Sequence, residues 1–413
     1  MSNCCSKFVW VPLIILLISF FITEPSAEDT NFYELLRVLK NNGTLSAEEY
    51  KSLIRAPKSI PDTDSEVFPN KNAIAPFREE KWADKIQIKG NVRIRYQYNH
   101  IQNRQINNNN APNSRHRGRI RGKIGMVTTP LIGWEGGIGL TSGSENPRGS
   151  NADLGDTFST KELRLDYAYI ERKTESVSFV AGKFNRDKYL WNPTDLMWDK
   201  DIKPEGLSAH FARRNDLGTL WTNSGIWMLN EQSSSSEDPY LVYAQVGQHF
   251  NTNPIAARVA GTTYVYADLN KNSIARTFKH SSNTNEDNNL NAIQLSGEIS
   301  YLLGGSQLSI VSDMIKNIES DNGEDFAYSI GFQLARPPWK FKYIYAKLEH
   351  NSIPDFLPDS DRFNGHTGIK GHESELQYII NKNLLLGIDF YSTEDYDNDI
   401  EQKILQADLL LKF

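Results

Sequence analysis

Cationic side chains repeat at a spacing of two in two neighbouring stretches of this chain. Arg93 and Arg95 lie in the first, and Arg115, Arg117, Arg119, Arg121 and Lys123 in the second. That spacing places side chains on one face of a strand. Seven like charges on adjoining strands repel one another unless something offsets them. Facing a water-filled space they would attract anions, as charged rings do in pores. The alternative is that they pair with carboxylates such as Asp166, Glu298, Asp313 and Asp389 and only stabilise a wall. Both readings can hold at once.

A second cluster lies in 185–203. It holds Tyr189, Trp191 and Trp198, with Pro193 and the acids Asp187, Asp195, Asp199 and Asp201. Aromatic area of this size is seldom left in water, because burial is worth about 25 cal/mol per Å2. Something covers it, and a cap on the rim of the fold or a contact between subunits would do so.

Other chemistry is thinly represented. The histidines, among them His210, His249, His350, His366 and His372, show no metal-binding pair on a helix. No nucleophile elbow is present. The stretch 268–272 has the Asp and Asn residues of a calcium loop but lacks its glycine and terminal glutamate. The sequence therefore predicts no enzyme activity, no metal and no cofactor. A serine–histidine hydrolase in an outer-membrane barrel and a structural or adhesive barrel with a closed lumen are the other two classes considered.

The elements that carry these residues are strands. In 85–98, Ile86, Ile88, Val92, Ile94, Tyr96 and Tyr98 share one face, and Gln87, Lys89, Asn91, Arg93, Arg95 and Gln97 the other. In 114–128, Ile120, Ile124 and Met126 lie opposite the basic row. The pattern recurs to the end, for example in Leu163, Leu165, Tyr167 and Tyr169, or in Trp339, Phe341, Tyr343 and Tyr345. Tyr96, Tyr98, Tyr167, Tyr169, Tyr343, Tyr345 and Phe413 are read as interface girdles. The last stretch puts Leu405, Ala407, Leu409, Leu411 and Phe413 on one face, so Phe413 is read as a barrel assembly signal. Long polar connections at 99–113, 142–161, 185–203, 268–289 and 351–368 alternate with short turns at 129–131, 173–174, 215–216, 304–305, 337–338 and 382–383. About sixteen strands of membrane-spanning length follow from this rhythm. The predicted fold is all-β: a transmembrane, antiparallel, up-and-down barrel over 81–413.

Composition agrees with that reading. Hydrophobic content is 39% in a chain of 413 residues, and mean hydropathy is −0.52. Both are too low for a bundle of membrane helices but suit a barrel that hides its apolar residues by alternation. A net charge of −6 argues against nucleic acid as a partner. Residues 1–27 read as a cleaved signal peptide, with Lys7, the apolar run from Phe8 to Ile22, and small residues at Ser26 and Ala27. Cys4 and Cys5 leave with it, which excludes disulfides and thiolate metal sites from the mature chain. Residues 28–56 predict a short helical hairpin with Leu35, Leu36, Leu39 and Leu53 on its apolar side. Residues 57–80 form a proline-containing linker.

Three blocks, WADKIQIKGNVRIRYQY (82–98), RHRGRIRGKIG (115–125) and AGKFNRDKYLWNPTDLMWDKDIKPEGL (181–207), resemble the putative-porin family of Gram-negative bacteria. The resemblance implies an outer-membrane barrel that passes small hydrophilic solutes or anions, with its hairpin in the periplasm. It also implies that the third long connection, with Asp187, Tyr189, Trp191, Asp195, Trp198, Asp199 and Asp201, narrows the pore. A weak anion preference would follow from the basic row. Membrane lipid, the barrel-assembly machinery and further copies of this chain are the partners expected with it.

Overall fold

The computed structural model describes residues 85–102, 113–155, 157–233, 238–269, 283, 290–320 and 323–413. The signal segment, the helical hairpin and the linker lie outside the described residues, as do most of 99–113 and 268–289. The chain divides into two units, Met1–Arg78 and Glu79–Phe413, and the second contains everything described below.

That unit is one closed antiparallel sheet. In chain order its strands are β1 (Ile86–Ile101), β2 (Ser114–Leu131), β3 (Trp134–Ser142), the two-residue β4 (Ala152–Asp153), β5 (Leu163–Lys173), β6 (Val177–Lys183), β7 (Glu205–Asn215), β8 (Gly218–Met228) and β9 (Tyr240–Thr252). They continue as β10 (Ile255–Ala267), β11 (Ala292–Leu303), β12 (Ser306–Asn317), β13 (Phe326–Arg336), β14 (Trp339–Leu348), β15 (Ile369–Ile379), β16 (Leu384–Asp395) and β17 (Ile400–Lys412). Apart from β4, each pairs with its chain neighbours. β17 returns to β1 with Asn91 opposite Lys412 and Arg95 opposite Asp408. The seam ends in a reciprocal pair of backbone bonds, Gly90 N–H to Phe413 O at 2.9 Å and Phe413 N–H to Gly90 O at 3.0 Å. Sixteen strands close the barrel. The short β4 extends the wall beside Arg119 and Ile120, beyond the end of β3.

Alternation decides which face is which. Ile88, Ile94, Ile124, Met126, Ile293, Leu295, Ile310 and Ile330 are exposed on the outside, whereas Gln97, Gln245, Gln294, Ser296, Asp313 and Gln406 are buried inside. An apolar exterior over a polar interior is the arrangement that lipid selects.

Two local features depart from the sequence reading. The turn between β2 and β3 sits at Ile132 and Gly133, not at 129–131. Strand β2 carries Pro130 in an irregular part of its ladder, and Gly133 supplies the left-handed conformation at φ +75° that the turn needs. Tyr167 and Tyr169 do not join an outer girdle. The β3–β5 ladder shifts register between Gly139 and Leu140, so a bulge at Asp166 turns the residues after it inward. Glycines of the inner wall receive the two rings. A Cβ at Gly139 would stand 2.3 Å from the Tyr167 ring, and one at Gly137 2.4 Å from the Tyr169 ring.

Candidate functional site

The third long connection, 184–204, folds into the barrel and fills one side of it. Its first turn, Arg186–Lys188, is capped by Asn185, whose Oδ1 accepts from the Asp187 N–H at 3.1 Å. Arg186 staples the connection from within, donating to the carbonyls of Trp198 at 3.1 Å and Ile202 at 3.2 Å. Phe184, Tyr189, Leu190, Leu196, Met197 and Trp198 then pack on Trp227, Leu241, Tyr243, Tyr264 and Ile315 of the inner wall. Trp198 meets Trp227 edge-on, with ring centroids 5.4 Å apart. Hydrogen bonds to the wall fix the register. The Trp191 N–H donates to Gln245 Oε1, and Gln245 Nε2 donates to the Trp191 carbonyl, both at 2.9 Å. The Thr194 N–H and hydroxyl donate to Asp313 Oδ2 at 3.0 and 2.5 Å.

A second connection, 349–368, clasps the first. Asp199 N–H donates to the Leu357 carbonyl, and Ser360 N–H to Asp199 Oδ2, both at 2.9 Å. Arg362 bridges Asp195 of the third connection and Glu373 of β15, and Lys342 also pairs with Glu373. Arg148, from the connection after β3, reaches the carbonyls of Asp355, Pro358 and Gly365 at 3.4–3.5 Å. Asp195, Asp359 and Glu373 are the one group of carboxylates among the described residues close enough to share a metal ion. Arg362 already supplies a cation to two of them.

The other side of the lumen is wet. A cavity of about 500 Å3 lies between β1, β2 and β15–β17 and the two clasped connections. Its walls carry eight cations: Arg93, Arg95, Arg117, Arg119, Arg121, Arg148, Lys200 and Lys412. They also carry eight carboxylates: Asp199, Asp201, Asp359, Asp361, Glu373, Glu375, Asp389 and Asp408.

The basic row does share the inner face of β1 and β2, and carboxylates interleave it. Arg95 makes a two-pronged contact with Asp408, with both bonds at 2.7 Å, and Asp361 and Asp389 stand 3.8 Å away. Arg93 lies 3.5 Å from Asp408 and donates to Asn151 Oδ1 at 2.6 Å. Asp153 of β4 takes Arg115, Arg117 and Arg119 at 3.2, 3.4 and 2.8 Å. Lys123 pairs with Asp201 at 3.1 Å. Arg121 donates to Asn91 Oδ1 at 3.1 Å, and no carboxylate oxygen among the described residues lies within ion-pairing distance of it. Of the wall carboxylates named from the sequence, Asp166 and Asp389 belong to this network. Asp313 instead anchors the third connection, and Glu298 lies on the far wall, where Ser300 donates to it. Of the principal partners, Asp201 was named only as an acid of the third connection, and Asp408, Asp153 and Asp361 were not singled out. Asp408 alone carried a signal, as the one acid on the mixed face of the last strand.

The connecting loops hold their carboxyls in different states. Burial, with Asp201 beside it, pushes Asp199 up to about 7, against two backbone N–H groups that favour its ionised form. Burial, then Asp195, Asp361 and Asp199, raises Asp359 well above the usual carboxylate range. Burial also opposes ionisation of Asp201, but Lys123, Arg121 and Lys203 outweigh it and hold that carboxyl below its ordinary value. The cavity's lining thus sets eight cations against eight carboxylates, of which Asp199 and Asp359 are held above the ordinary carboxylate range.

Comparison with known proteins follows the geometry. The family described as "Putative porin" matches residues 101–298, just under half of the chain. The blocks 115–125 and 181–207 fall inside that match. Three variants of Rhodopseudomonas blastica porin are similar in structure, with TM-scores of 0.44, 0.43 and 0.45 and 11% identity. Each match covers 79% of this chain and 100% of the other. No curated protein matches the chain.

Proposed function

We propose that this chain, whose residues 101–298 match the putative-porin family, is an outer-membrane channel for passive diffusion of small hydrophilic solutes, with a weak anion preference. The observation that carries the proposal is the cavity beside the Arg wall. The third connection fills one arc of the barrel and leaves the charged arc open as a polar space. In such a space the cations of one wall and the acids facing them set a field across the path. That field orients dipolar solutes and biases ion entry. The raised values of Asp199 and Asp359 weaken the negative side of that field toward acid pH, which favours anions there. Pairing keeps the preference small, since only the unpaired fraction of the row acts at a distance. The third connection acts as the constriction in this reading, with Asp199 and Asp201 lining the cavity and Asp195 buried against Arg362.

Purified protein in a planar bilayer tests this directly. Stepwise conductance with a reversal potential displaced toward anions under a salt gradient is expected. A silent barrel would favour a closed structural or adhesive role, and hydrolysis of bilayer lipid by the same preparation would favour an enzyme.

A further inference from the structure

Arg258 projects into the lumen from β10, on the short-turn side of the third connection, and it does not belong to the basic row. Its guanidinium carbon lies 4.2 Å from the Trp191 ring centroid and 4.7 Å from that of Trp221. The two indoles meet edge to face, with centroids 6.1 Å apart. Both are held. Trp191 is fixed through its backbone to Gln245, and Trp221 lies against Gly247, where a Cβ would come within 2.2 Å of the ring.

Arg258 faces Glu298 across β10–β11 and His249 across β9–β10. The pairing expected with Glu298 is not made. Glu298 accepts instead from Ser300 at 3.1 Å. Among the described residues, the guanidinium of Arg258 has neither a hydrogen bond nor a carboxylate within 4.0 Å, although it is partly buried. A half-buried guanidinium with no oxygen partner is unusual, and none of its nitrogens is among the fully enclosed ones, so the N–H groups stay open to a solute. The cation–π contacts leave its N–H groups without an oxygen partner, and the guanidinium fork matches a carboxylate bidentately.

We propose that Arg258, with Trp191 and Trp221, is a docking point for the carboxylate of a singly charged solute on the short-turn side of the constriction. This rests on the channel reading and names the solute class such a channel would retain. Glu298, at the same level on the next strand, repels a second negative charge, so a monocarboxylate is preferred over doubly charged phosphate.

Binding is read in detergent from the tryptophan emission of the full barrel, so the result stands whether or not the protein conducts. Titration with sodium propionate should give a saturable change in the wild type, and sodium phosphate at alkaline pH should give a weaker one. Arg258→Gln should weaken propionate binding at least tenfold. Arg258→Lys, which keeps the charge and loses the fork, should weaken it several-fold. Heat-modifiable migration on gels confirms that each variant is a folded barrel. No saturable response in the wild type, or equal affinity in a folded Arg258→Gln, overturns the proposal. A silent bilayer alongside normal propionate binding would overturn the channel reading and leave the site standing.

Discussion

Strands β8–β13 and strands β15–β17 with β1 and β2 present the same apolar wall to lipid and two different walls to the lumen. On the first arc the inward residues include Trp227, Leu241, Tyr243, Tyr264 and Ile315, with amides, hydroxyls, the buried Asp313 and, toward the short turns, Arg258 and Glu298 between them. On the second they are Arg93, Arg95, Arg119, Arg121, Glu373, Glu375, Asp389 and Asp408. The third connection packs its aromatic side on the first arc because aromatic area can be buried there, and toward the second it turns Asp199, Lys200 and Asp201, the last paired with Lys123. A channel of the proposed kind thus needs no empty barrel. One arc seats the third connection, and the other lines the charged cavity.

The largest effect is expected from the dry arc. Trp198→Ala leaves a cavity between Trp227, Tyr264 and Arg186 and should cost about 4 kcal/mol. The temperature of heat-modified migration should fall, and channel current should become larger and noisier as the connection loosens. An unchanged transition would mean that the apolar seat does not hold the plug. The wet arc should respond differently. Asp408→Asn strips Arg95 of its two-pronged partner, at a cost of about 3 kcal/mol, and leaves Arg93 less screened. Denaturant unfolding checks the first effect, and a shift of reversal potential toward anions checks the second. Gly247→Ala places a methyl group against Trp221 and should cost about 2 kcal/mol by overpacking, with little change in selectivity.

A smaller effect concerns pH. Asp199 titrates near 7, so raising pH from 5 to 9 adds negative charge to the constriction and should move the reversal potential toward cations. Its carboxyl is neutral below that pKa and charged above it, so the anion preference is largest in acid. Asp199→Asn should flatten the part of this dependence centred near neutrality. A full pH response in that variant would assign the titration to other groups.

Legibility in the sequence followed the local rules. Alternation placed β1 and β2 within three residues of their observed ends, and it put the basic row on one face of both. The strand count survived because turns and polar connections alternate. The inward turn of Tyr167 and Tyr169 was not legible. One inserted residue inverts everything after it, and nothing in the composition of 163–173 marks Asp166 as that residue. The partners of the row were hidden for a different reason. Arg95 and Asp408 are brought together by the register in which the barrel closes, with 313 positions between them in the chain. Arg362, which ties Asp195 to Glu373, stood alone in a polar stretch. Ile353, Phe356 and Leu357 nearby were the only sign that 349–368 packs inward.

The reversal potential of the Arg119→Gln, Arg121→Gln double variant under a salt gradient bears most directly on the role of the wet arc. Arg119 is offset by Asp153 and Arg121 by no carboxylate within ion-pairing distance among the described residues, so the pair spans both conditions found in the row. The wild type should show a weak anion preference. The double variant should move toward cations, and the difference should shrink at 1 M salt, where the Debye length is about 3 Å. An unchanged reversal potential with conductance intact would show that the Arg wall is neutralised in place and does not act on the permeating ion.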